Sequence, residues 1–345
     1  MRDALFTAGA AALRQFEPEM AHELAIAGLG LSPFRTPPAD DPILQTQIGS
    51  LTWPNPVGLA AGLDKDGRAI PGLLGLGFGA VECGSVTPQP QVGNPKPRLF
   101  RLSDDRAIIN RMGFNNRGLD AFAGRLADRP KRGVVGANLG ANKDTEDKAA
   151  DYVLGLKRLK GLADYFTINV SSPNTPGLRA LQGRAAMDDL LNRVAEARDE
   201  GATPVFLKIA PDLTGEEIGQ IVEAALAWKI DALIVSNTTL DRPASLRSAN
   251  RGEAGGLSGA PLRDRAMVAL QAAVEAAAGR LPLIAVGGIA SGADAWDRLR
   301  AGASAVQVYS ALIYEGPALV GRIKRDIAAR LRAEGVKHLS ELSAG

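Results

Sequence analysis

From residue 57 onward, apolar runs of strand type alternate with segments of helical period. The runs are VGLAAG (57–62), GAVECGSVT (79–87), GVVGANLG (133–140), DYFTINVSS (164–172), PVFLKIAP (204–211), DALIVSNT (231–238), LPLIAVGGI (281–289) and AVQVYSAL (305–312). They are continuously apolar rather than alternating, which is the mark of strands buried on both faces. Each ends in glycine or small polar residues. Eight such units predict an α/β fold of the (β/α)8 TIM-barrel type. An open doubly wound sheet is the competing arrangement. It is disfavoured because no G-x-G-x-x-G turn follows the first strand. Residues 316–335 carry apolar positions 319, 320, 323, 327 and 331 and read as the last barrel helix. Two connections, 88–132 and 238–260, are longer than a barrel needs, and loops of that length are usually functional or disordered.

Ahead of the barrel, two short helical patterns occupy roughly 3–16 and the stretch starting near Pro18. The first carries Leu5, Phe6, Ala12, Leu13 and Phe16, the second Met20, Leu24, Ala27 and Leu29. The proline-rich LSPFRTPPADDP (31–42) ends any helix. A boundary at about 40 therefore divides a two-helix unit, 1–40, from the barrel, 41–345, with LQTQIGSLTWPNP as a small entry hairpin. The first twenty residues imitate a signal peptide, but Asp3 and the following RQFEPE argue against one. Arg2, Arg14 and Arg35 stand against Asp3, Glu17, Glu19, Glu23 and Asp40, so the unit is no polybasic lipid anchor. Its apolar faces need cover, from the barrel or from a membrane interface.

Composition narrows the chemistry by exclusion. A net charge of +2 advertises no nucleic-acid field. The one cysteine, Cys83, rules out an internal disulfide framework. The two histidines, His22 and His338, lie near the ends, which argues against a zinc site or a Ser-His-Asp triad in the barrel, and no metal is expected.

Active sites in such barrels sit at the C-terminal ends of the strands. The strand ends here deliver Lys65; Gly84, Ser85 and Thr87; Asn138; Asn169, Ser171 and Ser172; Lys208; Ser236, Asn237 and Thr238; Gly287 and Gly288; and Tyr309 and Ser310. No clear catalytic carboxylate is among them, and Asp64 and Asp212 begin loops. A single asparagine is more often a turn former. Three at the ends of three strands offer paired donors and acceptors suited to the edge of a cyclic imide such as a pyrimidine or a flavin ring. Lys208, in the apolar VFLKIAP, needs an ion pair or an anionic ligand. VGGIASG fits a glycine-rich phosphate site, though a plain tight turn reads the same way.

The motifs GLAAGLDKDG, PKPRLFRL, NRMGFNN, INVSSPNTPGLR, KIAPDL, NTTLDR, GGLSG and VGGI run in order from about residue 16 to 322. Together they resemble dihydroorotate dehydrogenase, of the membrane-associated, quinone-using class. The resemblance implies FMN-dependent oxidation of dihydroorotate to orotate in pyrimidine synthesis, with ubiquinone or menaquinone as the final acceptor. It implies a peripheral seat on the cytoplasmic face of the cell membrane, with no nucleic-acid and no obligate protein partner. By the same resemblance Ser172 is the base, held by Pro173 and Pro176 in a loop of restricted backbone. Lys65, Asn110, Arg111, Met112, Gly113, Phe114, Asn169, Asn174, Asn237 and Thr238 hold the substrate. Ala61, Gly62, Leu63, Asp64, Lys65, Ser85, Asn138, Asn169, Lys208, Ser236, Gly259, Gly288, Tyr309 and Ser310 hold FMN. Ser85 and Ser236 stand where related sequences often have threonine, and each keeps the hydroxyl. His22 and Arg101 lie near the quinone head, at the end of a tunnel whose mouth the two N-terminal helices form. A tRNA dihydrouridine synthase or a non-redox phosphate-binding barrel are the competing readings.

Overall fold

A computed structural model describes residues 2–198 and 203–344. Helices α1 (Arg2–Leu13) and α2 (Pro18–Gly30) come first, then a hairpin of β1 (Thr46–Ile48) and β2 (Leu51–Trp53). The following elements are β3 (Val57–Leu59), α3 (Ile70–Leu74), β4 (Ala80–Val86), β5 (Leu99–Leu102), β6 (Ala107–Asn110), α4 (Gly118–Ala127), β7 (Val134–Leu139) and α5 (Lys148–Leu159). Then come β8 (Tyr165–Asn169), α6 (Arg184–Ala197), β9 (Val205–Ile209), α7 (Gly215–Ala227), β10 (Ala232–Val235), β11 (Gly256–Gly259) and α8 (Arg263–Ala277). The chain closes with β12 (Leu283–Val286), α9 (Gly292–Arg300), β13 (Ala305–Val308), α10 (Ser310–Glu315) and α11 (Leu319–Ala333).

Strands β3, β4, β7, β8, β9, β10, β12 and β13 pair in that order, all parallel, and close on themselves. They are the eight runs of the sequence analysis, each trimmed to its hydrogen-bonded centre. Alternate residues point inward. The inward set at the N-terminal ends of the strands is apolar: Ala80, Tyr165, Phe206, Ala232, Ile234, Ile284 and Ala305, closed below by Trp53 of the hairpin. Tyr165 stacks on Phe206 with ring centroids 4.5 Å apart. Gly136 is needed beside it, because a Cβ there would overlap the Tyr165 ring. The next inward positions are polar: Glu82, Thr167, Lys208 and Gln307, all buried. The barrel thus carries an apolar plug below and a polar layer above it.

The two long connections are ordered, which their sequence did not reveal. They supply β5, β6 and β11, a three-stranded antiparallel sheet beside the barrel. It has its own small core of Phe100, Leu102, Ile109, Leu246 and Leu257.

The N-terminal helices are seated by close backbone contact. Glycines Gly72 and Gly75 lie under α2 and the segment after it. A side chain on Gly72 would overlap the carbonyl oxygen of Leu29, and one on Gly75 that of Phe34. Arg14, just after α1, donates to the carbonyls of Ile313 (3.1 Å) and Tyr314 (3.2 Å). The face α2 turns to the barrel is not the apolar face read from sequence. Met20, Leu24 and Ala27 are exposed, and Glu19, Ala21 and Ile26 are buried. Glu19 can be buried because Arg98 meets it at 2.7 Å, and that guanidinium holds its carboxyl below the usual range against the opposing cost of burial. Cover by the barrel alone therefore does not account for the apolar side of α2.

Gly75→Ala should cost roughly 1–3 kcal/mol of overpacking, taken where the N-terminal segment meets α3. Limited proteolysis should cut within residues 2–40 faster in the variant while the barrel core stays resistant. Equal cutting rates would show that the contact can relax without displacing α2.

Candidate active site

A cavity of about 640 Å³ opens over the C-terminal ends of the barrel strands and runs out between α1 and α2. Its inner part is polar. Ser85, Asn169, Ser172, Lys208, Ser236, Asn237 and Thr238 line it from the strand ends, and Asn110, Met112, Gly113, Phe114 and Asn174 close it from the side. Its outer part is apolar, walled by Phe6, Leu13, Ala21, Leu24, Leu29 and Phe34 of the N-terminal segment. Ala61, Gly62, Leu63, Lys65, Gly259, Gly288, Tyr309, Ser310, His22 and Arg101 also reach the wall.

Three predicted residues stand off the wall. Asp64 turns back to accept from the N–H groups of Arg68 (2.8 Å) and Ala69 (2.7 Å), so it caps the turn before α3. Arg111 pairs with Glu253 at 2.7 Å and lies over the Phe100 ring, away from the cavity. Asn138 is fully buried one layer beneath, between Glu82 and Asn169. Side chains of Asp64 and Arg111 are thus committed elsewhere, and Asn138 reaches the cavity only through its neighbours.

The floor is a row of amides. Asn138 donates to Glu82 (2.7 Å), Asn169 donates to Asn138 (3.2 Å) and Ser85 (2.9 Å), and Asn237 donates to Asn169 (3.2 Å) and Ser171 (3.0 Å). The Ser85 hydroxyl also donates to Asn138. Ser172 is buried at the cavity edge and accepts the N–H of Asn174 (3.3 Å). The Asn174 side chain in turn donates to the carbonyl of Asn110 (3.0 Å). Arg179 braces the loop by donating to the carbonyls of Ser171 (3.0 Å) and Thr238 (2.9 Å) and to Asp212 (2.7 Å).

Sequence reasoning passed over Arg179, Glu82 and Gln307. For the last two a signal existed: each is the only polar side chain within an otherwise apolar stretch, AVEC and AVQV. Arg98 was also missed. Besides Glu19 it donates to the carbonyls of Val92 (2.6 Å) and Asn94 (2.9 Å), and Asn94 donates to the carbonyl of Asn174 (3.2 Å). One guanidinium thus links α2 to the Ser172 loop.

Two lysines face the cavity with little compensation. Lys208 is buried and has no ion pair or hydrogen bond among the described residues. Burial pulls its pKa down, opposed by the field of Glu82. Lys65 has its Nζ 3.2 Å from His22 Nε2, and burial pushes its pKa down to about 8. The same burial, with Lys65 and Arg68 beside it, holds His22 well below its ordinary value, so the ring is neutral. A neutral ring that accepts from Lys65 at Nε2 carries its proton on Nδ1, 3.4 Å from the Tyr309 hydroxyl. Cys83 is buried and its thiol is pushed up, so it is no nucleophile.

The chemistry of this wall fits a flavin phosphate. An uncompensated ammonium asks for an anion. The buried Gln307 Oε1 and Thr238 Oγ1 have no partner among the described residues. At the far end Gly287 and Gly288 have φ of 113° and 70°, and a Cβ on Gly288 would overlap the Arg263 backbone. Only glycine leaves the backbone bare there for an anion to approach. Among the described residues no cluster of His, Cys, Asp and Glu could hold a metal.

Residues 43–331 match the family described as dihydroorotate dehydrogenase. The chain is 55% identical to a dihydroorotate dehydrogenase (quinone) of Rhodospirillum rubrum, over 94% of this chain and 90% of that one. It is 52% identical to the protein of the same name from Brucella melitensis, over 97% and 94%. Among solved structures, that of Eimeria tenella dihydroorotate dehydrogenase with ferulenol superposes with a TM-score of 0.90 at 41% identity, covering 94% of each chain. The chain belongs to the dihydroorotate dehydrogenase family.

Both depressed values favour the neutral form in the folded state. Below 6.5 for His22, and between about 8 and 10.5 for Lys65, the unfolded chain binds more protons than the folded one, so stability rises with pH through those windows. Nitrogen-15 NMR of histidine-labelled protein, with His22→Asn for assignment, should show the His22 ring neutral as pH falls through 6.5. An ordinary titration of that ring would contradict its burial against Lys65.

Proposed function

We propose that this chain is a quinone-dependent dihydroorotate dehydrogenase, oxidising dihydroorotate to orotate in pyrimidine biosynthesis. The observation that carries the reading is one continuous cavity, with a polar amide-lined inner end and an apolar outlet between two helices. A polar ring and an apolar acceptor can thus reach one place by different routes. Membership of the family sets aside the dihydrouridine-synthase and non-redox readings.

FMN, when bound, supplies the acceptor for the hydride on C6 of dihydroorotate and the donor of electrons to the quinone. Gly288, Ser310 and Gly259 would hold its phosphate end, and Lys208, Ser85 and Asn169 its ring. The chain's own part begins with orientation. Asn110, Asn169, Asn174 and Asn237 offer amide edges to the substrate ring. Ser172 Oγ then takes the proton from C5, beside the ring carbonyl. Serine is a weak base, so its position and the exclusion of water have to help it. The Asn174 N–H donating to Ser172 Oγ (3.3 Å) fixes that oxygen in place and leaves its other lone pair for the C5 proton. Lys208 places a positive charge where the reduced ring would be negative.

Residues 1–40 form the quinone passage in this reading. His22 lies at its inner end, and Arg101 holds the turn between α1 and α2 through the carbonyl of Arg14 (2.8 Å) while its buried Nε has no partner among the described residues. A quinone carbonyl would satisfy that N–H. Phe16, Met20, Leu24, Leu31 and Phe34 are all exposed, Leu31 at 82%, and form the apolar rim of this end. No helix among the described residues is long and apolar enough to cross a membrane. The rim suits a shallow seat in the interface, on the cytoplasmic face, where long-chain quinone resides.

Ser172→Ala should keep FMN and bind dihydroorotate normally, yet slow flavin reduction by ~10²–10⁴. Stopped-flow reduction at the parental rate would remove Ser172 from the base role. Gly28 of α2 lines the outlet, and a Cβ there would meet nothing within 4 Å. Gly28→Phe should therefore block the passage without disturbing the helix. Flavin reduction by dihydroorotate should survive while reoxidation by long-chain quinone falls at least about tenfold, the loss that ~1.4 kcal/mol of exclusion represents. Undiminished turnover with quinone would place its route elsewhere.

A further inference from the structure

Glu82 lies in β4 on the inward side, fully buried between the apolar plug and the cavity floor. Its two oxygens accept from three donors: Asn138 Nδ2 (2.7 Å), Gln307 Nε2 (2.9 Å) and the Tyr165 hydroxyl (3.2 Å). A carboxylate accepts and never donates. An amide that faces it has one permitted orientation.

That restriction propagates. Asn138 must turn its NH2 to Glu82, so its carbonyl oxygen faces the other way, toward Ser85 and Asn169. Asn169 must then offer NH2 to Asn138, which turns its own oxygen toward Ser171 and Asn237. Asn237 gives both N–H bonds to Asn169 and Ser171, so its oxygen faces the remaining side, where it accepts the N–H of Thr238 (2.7 Å). That oxygen has a second lone pair, and Asn237 lines the cavity. Every amide in the row could in isolation be reversed. Only its first neighbour cannot.

We propose that Glu82 is the positioning residue that sets the direction of the Asn138–Asn169–Asn237 row and so presents an acceptor, not a donor, to a ring N–H of the bound cyclic imide. The inference rests on the reading of this cavity as the flavin and dihydroorotate site. A reversed row would set an NH2 against the ring N–H. Glu82 touches neither ligand in this scheme and acts through Asn138. The same carboxylate supplies the counter-charge to Lys208, which has no other among the described residues.

The test uses holoenzyme and equilibrium binding of orotate, read from the perturbation of flavin absorbance, beside its ring-N-methylated analogues. Glu82→Gln keeps shape but can face Asn138 with either end. Orotate should bind on the order of tenfold to a hundredfold more weakly, and the preference for orotate over the methylated analogue should shrink by a similar factor. Adding Asn138→Asp to Glu82→Gln moves the carboxylate one place along the row. The introduced glutamine can then only donate toward position 138, and Asn169 is again compelled to donate there. Affinity and preference should return toward the parental values. Tyr165→Phe removes a donor from Glu82 without touching the row and should leave the preference intact. Parental affinity and preference in Glu82→Gln would overturn the proposal. So would failure of the double variant to restore them, or to bind orotate if the single variant does not fold. Parental protein that holds no flavin or binds no orotate would instead sink the functional reading itself.

Discussion

An ammonium ion inside a protein needs a counter-charge or a ligand, and here two of them face one cavity with no carboxylate in contact among the described residues. Lys208 has only the field of Glu82 beneath it, and Lys65 rests against the neutral ring of His22. Much of the architecture serves to keep this arrangement without collapse. The apolar plug of Trp53, Tyr165 and Phe206 bars water from below. The polar layer satisfies Glu82 so that its charge is available to Lys208. An anionic cofactor would answer what remains, which would tie its affinity to the electrostatics of the wall.

The barrel was legible because burial on both faces leaves long apolar runs that need no partner information. The three-stranded sheet was not. Its strands have four residues each, and β11 pairs with β6 across roughly 150 positions of sequence, so no local window contains the pattern. The orientation of α2 failed for a similar reason. Nothing near Glu19 announces that Arg98, 79 positions later, will neutralise it. In the site, strand ends gave the amide row: parity alone sends Asn138 and Asn169 inward, whereas Asn237 is out of step with the inward Ala232 and Ile234 and reaches the row from beyond the end of β10. Asp64 and Arg111 sat in the right motifs, but their side chains found partners in the turn and in Glu253. A lone polar residue inside an apolar strand is the stronger pointer, as Glu82 and Gln307 show, because burial forces it to find a partner.

The N-terminal helices and the Ser172 loop are not independent parts. Arg98 holds Glu19 on one side and the Val92–Asn94 turn on the other, and Asn94 reaches the backbone of Asn174. The helices that flank the outlet and the loop that carries Ser172 therefore share a strut.

Arg14 fixes the end of α1 to carbonyls 299 and 300 positions further along the chain. Helix α1 thus meets these two partners only after some 300 further residues have been made. Until then α1 rests on α2 and the segment after it, with Phe6 against Phe34, while α2 finds Gly72 and Arg98 much sooner. A lipid surface beside the ribosome can hold such helices in that interval, so the same rim that would seat the finished enzyme could also shelter the nascent one from aggregation.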